Sequence, residues 1–224
     1  ARLMSDAVRP DAGARPRIAL VRGSWNAAGG AERFVQRIAT ALAGRGVELT
    51  LIARRWPQGG EAGLPAGVRR IELDHFHLGR RWRDRAFAQA VLDTVARERF
   101  DLVQSHERIP GLPIYRAGDG VHRQWLALRG RLHGFWRRLG DRVGPQHRAI
   151  LRAERDMFAH PDLRCVVCNS EMVRDEIVRC YGVPRERLVV IRNGIDLQRF
   201  RPATPAGRAG ARAKLAWAAQ GTLF

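Results

Sequence analysis

Four short stretches of this 224-residue chain carry residue types suited to chemistry. Gly29 and Gly30 close the loop GSWNAAGG (23–30). Glycine lets backbone N–H groups come close to a phosphate, and a helix start adds partial positive charge. Glu32 and Arg33 follow in the first helical turn, where Glu32 suits the helix dipole. His106 and Arg108 stand at the end of the run FDLVQSH (100–106), one of them basic and one titratable near neutral pH. Residues 121–150 hold seven Arg and a single Asp among Trp125, Leu128, Leu132, Phe135, Trp136, Leu139 and Val143.

These stretches need elements to position them. RIALVR (17–22) is a buried-strand pattern, and Phe34, Ile38, Ala41 and Leu42 follow the glycine loop at helical spacing. VELTLIAR (47–54), VRRIELDH (68–75) and FDLVQSH read as further strands, and residues 80–98 as an amphipathic helix. Helix over 147–160, strand over 163–170, helix over 171–182 capped by Ser170, and strand over 187–194 complete the pattern. Strands alternating with helices predict a parallel sheet with right-handed crossovers, a Rossmann-like α/β fold. Ligands of such sheets sit outside the carboxyl ends of the strands. That brings the glycine loop, His106-Glu107 and the segment after Tyr115 towards one crevice.

The totals narrow the partner. Net charge is +18, and Lys214 is the only basic residue besides Arg. That balance reflects either Arg-rich composition as such or an anionic partner. No run of about eighteen apolar residues is present, which argues against a membrane span. Cys165, Cys168 and Cys180 lack the further ligands of a zinc site and read as free thiols. In 121–150 the aromatic residues share the apolar side of a helical wheel, and Arg131, Arg138 and Arg142 share the other. A basic amphipathic segment of this kind suits an interface with anionic lipid, through Arg123, Trp125, Arg131, Phe135, Trp136, Arg138 and Arg142. The plainer alternative is a helix packed on its own domain with Arg outside. Nucleic acid is disfavoured, because aromatic and basic residues do not interleave.

VVCNSEMVRDEIVRCYGVPRERLVVIRNGIDLQRFRP (166–202) resembles the inter-domain crossover of retaining family-four glycosyltransferases with the GT-B fold. The likeness lies in a strand ending in Ser, a helix ending in Tyr-Gly, then Val-Pro, Asn-Gly-Ile-Asp, Phe and Pro. GGAERFVQRIATALAGRGVELTL (29–51) is similar to the first loop and helix of that family. Within it, IPGLPIYRAGDGV (109–121) and the basic stretch behind it look like the lipopolysaccharide-core heptose glucosyltransferases. Residues 1–16, ARLMSDAVRPDAGARP, read from their composition as a disordered arm, and the resemblance implies the amino-terminal domain of such an enzyme over 17–202. Residues 203–224 would then be a linker and the start of a carboxyl-terminal donor-binding domain.

The same resemblance implies hexose transfer from a nucleotide sugar such as UDP-glucose to a lipopolysaccharide-core or related glycan, with retention. It implies no essential metal, and the absence of any Asp-x-Asp sequence agrees. It assigns Gly29, Gly30 and Arg199 to the donor, Glu32, Arg33, His106 and Arg108 to the acceptor, with acceptor phosphates at the last two, and Asp119 to the catalytic side, orienting the acceptor or balancing charge at the anomeric carbon. The partners would be the nucleotide sugar, the glycolipid acceptor and an anionic membrane surface, on the inner face of the cytoplasmic membrane. This domain alone would be inactive or nearly so. Two rivals stand beside it: an NADP-binding oxidoreductase domain, with Arg54 and Arg55 on a 2′-phosphate, and a non-catalytic basic lipid-binding module.

Overall fold

The computed structural model describes residues 15–24, 30–56, 64–74, 79–132, 144–195, 197 and 200–215, without the side chains of Ala31, Glu32, Arg80, Arg81 and Leu132. Seven strands form one sheet: β1 (Arg17–Arg22), β2 (Glu48–Ala53), β3 (Arg69–Glu72), β4 (Leu102–Ser105), β5 (Ile114–Ala117), β6 (Cys165–Cys168) and β7 (Leu188–Val190). Their order is β3-β2-β1-β4-β5-β6-β7, and every pairing is parallel. This is the Rossmann-like α/β sheet that the strand and helix periods predict. The chain reverses its direction of travel between β1 and β4, so the topological switch point lies between them.

Side-chain alternation sorts the core. Ala19, Val21, Ile52 and Val103 cluster with Phe87 and Val91 of α2 (Arg80–Glu98). Their neighbours Leu20, Leu49 and Leu51 point the opposite way and cluster with Val35 and Ala39 of α1 (Gly30–Ala43). Farther along, Tyr115 and Val166 join Met157 and Phe158 of α4 (Pro145–Phe158) and Val173 and Ile177 of α5 (Glu171–Tyr181). Between β5 and α4 lies α3 (His122–Leu132).

Local signals set the ends. Ser170 Oγ accepts from Val173 N at 3.3 Å, capping α5. Gly182 closes it at φ +66°, a left-handed conformation that costs glycine nothing. Strand β5 departs from expectation, because the sequence pattern marks no strand over residues 114–117; only four residues long, it lies between Pro113 and Gly118 and carries Arg116 in its middle.

The chain divides into two compact units, 1–192 and 193–224. In the second, Pro205–Lys214 forms α6, where composition predicts a linker. Thr204 Oγ1 accepts from Gly207 N at 3.1 Å, proline occupies the tolerant first turn, and the Ala and Arg residues favour helix despite two glycines.

Candidate active site

The carboxyl ends of β1, β4 and β5 share one rim of the sheet. His106 N donates to Val21 O at 2.9 Å, which ties the exit of β4 to the end of β1. Beside it, Glu107 Oε1 accepts from Gly23 N at 2.9 Å and from Arg22 Nη1 at 3.2 Å. A Cβ on Gly23 would stand 3.1 Å from Glu107 Cδ, so any larger residue there would press the Glu107 side chain aside by a few tenths of an ångström. Ser105 is 1% exposed; its Oγ donates to Glu107 O at 2.8 Å and accepts from Glu107 N at 3.0 Å. Burial pushes the Glu107 carboxyl above its ordinary value, Gly23 N–H, Arg22 and Arg108 pull it back, and Asp119 adds to the rise.

Asp119 is exposed in the loop that leaves β5. Both neighbours of Asp119 are pinned: Gly118 O accepts from Asn169 Nδ2 at 2.8 Å, and Gly120 O lies 3.5 Å from Arg108 Nη2. Gly120 has φ +72°, the left-handed region that glycine tolerates. The acid therefore projects from a short loop fixed on each side, on the rim shared with Gly23 and Glu107.

The other predicted residues fall in different places. Gly30 begins α1, and a Cβ there would meet nothing within 4 Å. Arg33 is exposed in the first turn of α1, and Glu32 lies there too. His106 is only 9% exposed; its ring stands 6.1 Å from that of Phe34 and 3.1 Å from Gln104 Nε2. Burial, with Arg116 and Arg22 adding to it, lowers its pKa to about 3, so the imidazole is neutral at ordinary pH. Arg108 spends Nε on Glu154 Oε1 at 2.9 Å. Burial opposes its charge, but Tyr115, Glu154 and Asp119 hold its pKa above the ordinary value. Gly29, Arg199, Phe135, Trp136, Arg138 and Arg142 lie outside the described residues.

Behind the crevice stands a residue that sequence reading missed. Glu154 is 1% exposed and accepts from Arg108 Nε, His122 N (2.7 Å), Arg123 N (3.3 Å) and the Tyr181 hydroxyl (2.6 Å). Two of those donors are the first free N–H groups of α3, which this carboxylate caps from another helix. The available signal was its spacing: Glu154 lies four residues after Ile150 and three before Met157, on the apolar side of α4.

The first turns of α3 face outwards. Trp125 is 46% exposed and Leu128 45%. Trp125 stacks on His122 at 5.4 Å, and the Arg129 guanidinium lies 5.0 Å from the Trp125 ring centroid. Arg123 and Arg131 are exposed, with Arg123 Nη1 donating to Cys180 O at 2.7 Å. Among the described residues no group of three or more His, Cys, Asp or Glu could hold a metal ion, and no helix is long and apolar enough to cross a membrane. Just past the end of β2, Arg55, one of the two arginines proposed for a 2′-phosphate, pairs with Asp74.

Comparison with known proteins gives the family. The profile of glycosyltransferase family 4 matches residues 28–199. A D-inositol 3-phosphate glycosyltransferase of Rhodococcus jostii is 32% identical over 206 residues, covering 84% of this chain and 43% of that protein. The corresponding protein of Kineococcus radiotolerans is 30% identical over 205 residues, with 84% and 45% covered. The chain thus spans about half the length or less of the curated relatives it matches. The crystal structure of WaaG, a glycosyltransferase involved in lipopolysaccharide biosynthesis, superposes with a TM-score of 0.72 at 21% identity, over 89% of this chain and 51% of that one. That likeness is one of fold. The family match covers most of the chain, and this protein belongs to glycosyltransferase family 4.

Proposed function

We propose that this chain is the acceptor-side domain of a retaining glycosyltransferase that takes a hexose from a nucleotide sugar. The observation that carries the reading is the placement of Asp119 on the same sheet rim as Gly23 and Glu107, across the switch point from the start of α1. Glycosyl transfer builds negative charge on the departing diphosphate and positive charge at the anomeric carbon. The glycine loop and helix start suit the first, and the exposed carboxylate of Asp119 suits the second. No step in this account uses a metal ion.

The acceptor is a lipopolysaccharide-core or related glycan presented at an anionic membrane surface. Support comes from the fold shared with WaaG and from the outward face of α3 with its Trp, Leu and Arg residues. A phosphorylated polyol is the second acceptor to test, because the curated relatives named above are D-inositol 3-phosphate glycosyltransferases.

The test is transfer by the full-length protein. It is given UDP-glucose and other nucleotide sugars, with a heptose-bearing core glycolipid in one arm and inositol 3-phosphate in the other. Mass spectrometry should show one hexose added, and the anomeric proton coupling of the product should show retention. Asp119→Asn should lower kcat by roughly a hundred-fold or more, the usual scale for losing a group that stabilises charge in the transition state. Absence of transfer from every donor, together with tight NADPH binding, would overturn the reading in favour of a nicotinamide-cofactor domain.

A further inference from the structure

Glu107 does not belong to the set that the family resemblance assigns, yet it occupies the switch point of the sheet. Its two carboxylate oxygens are used unequally. Oε1 takes both protein donors, Gly23 N and Arg22 Nη1. Oε2 has no hydrogen-bonding partner among the described residues, and about a third of the side chain, 32%, is open to solvent. Its backbone is locked by the reciprocal bonds with Ser105, and its carboxylate comes so close to Gly23 that a Cβ there would stand 3.2 Å from Oε1 and 3.4 Å from Oε2. The side chain is thus held rigidly with one oxygen to spare, and Asp119 is the other acid near enough to influence it.

A fixed carboxylate with a free oxygen at the rim of a parallel sheet accepts hydrogen bonds from hydroxyl groups. Because it cannot swing away, it reads the position of a hydroxyl and not merely its presence. We propose that Glu107 is a specificity-determining residue of the crevice, with Oε1 holding the exit of β1 and Oε2 receiving one hydroxyl of a bound sugar. The inference rests on the glycosyltransferase reading for its ligand class. The sugar belongs either to the donor or to the acceptor, and the two sources are separated below.

The division of labour has a consequence for variants. Glu107→Gln keeps an oxygen for Gly23 N–H but removes the charge facing Arg22 and the second acceptor. Glu107→Ala removes everything. Gly23→Ala leaves Glu107 intact and forces its carboxylate to move, because the new methyl group would crowd it. A charge-assisted hydrogen bond to a hydroxyl corresponds to roughly ten- to hundred-fold in affinity.

The test follows the Gly23 amide by NMR in the isotope-labelled full-length protein. UDP-glucose is compared with UDP in one arm, and a heptose-bearing core glycolipid with its delipidated, heptose-free counterpart in the other. Only the sugar-bearing member of one pair should shift the Gly23 signal, and the arm in which it does so names the source. Glu107→Ala should abolish that shift and weaken the sugar-dependent part of binding about ten- to hundred-fold, with Glu107→Gln in between, and Gly23→Ala, which removes the reporter itself, should weaken the same part of binding measured by titration. A Gly23 signal in the wild type that ignores both sugars overturns the inference. So does unchanged sugar affinity in folded Glu107→Ala protein. Because the readout is binding at one amide, the inference can fail while transfer is observed, and failure of transfer leaves the amide result standing.

Discussion

The Tyr181 hydroxyl donates to Glu154 Oε2 at 2.6 Å, joining the last residue of α5 to a carboxylate in the third turn of α4. Burial and the Glu154 carboxylate both push the phenol above its ordinary range, so it remains a donor at any working pH. The same carboxylate caps α3 and holds Arg108 at the crevice. One buried side chain therefore fixes the helix that carries the outward Trp125 and an arginine that pins the loop of Asp119.

Removing Glu154 should be among the most damaging single changes in the domain. Glu154→Ala takes from Arg108 the carboxylate it is hydrogen-bonded to and strips a cap from α3. Breaking a buried pair of this kind costs about 3–5 kcal/mol. Glu154→Gln keeps the shape and some acceptor capacity and should cost about half as much. For a unit of this size the alanine variant should lower Tm by roughly 10 °C or more. A shift of one or two degrees in a thermal melt would show that the four donors are satisfied without it.

The depressed pKa of His106 predicts acid sensitivity with a defined window. The native imidazole resists protonation until about pH 3, against an ordinary value of 6.5. Below pH 6.5 the unfolded chain binds a proton that the folded chain does not, so stability is complete above 6.5 and falls as pH drops towards 3. One such proton gives a slope of roughly 1.4 kcal/mol per pH unit within the window. His106→Gln should flatten that slope in denaturant titrations from pH 4 to 7. An identical slope in the variant would assign the acid sensitivity to other groups.

Arg116 shows why part of the site was not legible from the sequence. In the string IYRAGDG it reads as a surface charge, yet it is 3% exposed with its guanidinium 3.6 Å from the centroid of the Phe34 ring. The two residues are 82 positions apart, and only the parallel register of the sheet brings them together; no local pattern encodes that. By contrast, α2 runs over the predicted residues 80–98, and Ser170 caps α5 as expected, because apolar spacing and capping chemistry are local. Asp119 stood out through its likeness to a family segment. Glu107 and Glu154 matter through partners from distant segments, namely Arg22 and Gly23 for one and Arg108, His122 and Tyr181 for the other.

The Arg116–Phe34 contact gives its own prediction. Burial lowers the pKa of Arg116, which marks the cost of holding this charge away from water. The ring face of Phe34 offsets that cost, by about 2 kcal/mol for a desolvated pair. Phe34→Leu keeps an apolar side chain on α1 but removes the π face, and should destabilise by about 2–3 kcal/mol. Arg116→Met in the Phe34→Leu background should recover part of the loss, since neither partner is then missing its counterpart. Additive losses in this double-mutant cycle would refute the coupling.

The outward face of α3 separates membrane contact from packing on the domain. If α3 meets an anionic lipid surface, Leu128→Ala should weaken vesicle binding about ten-fold on anionic and zwitterionic vesicles alike, because about half of an apolar side chain is lost from the interface. Arg131→Gln should weaken binding roughly five-fold on anionic vesicles at low salt and hardly at all on zwitterionic ones, since its contribution is electrostatic and screened. Trp125→Ala is the less clean probe, because Trp125 also stacks on His122 and lies 6.1 Å from the His147 ring. Among the described residues Leu128 and Arg131 have no ring stacking or hydrogen bond of this kind, so changes there read the surface more directly. Co-sedimentation that is indifferent to both substitutions would mean that α3 turns these residues to water for no lipid, and the basic stretch would then be a solvated face of the domain.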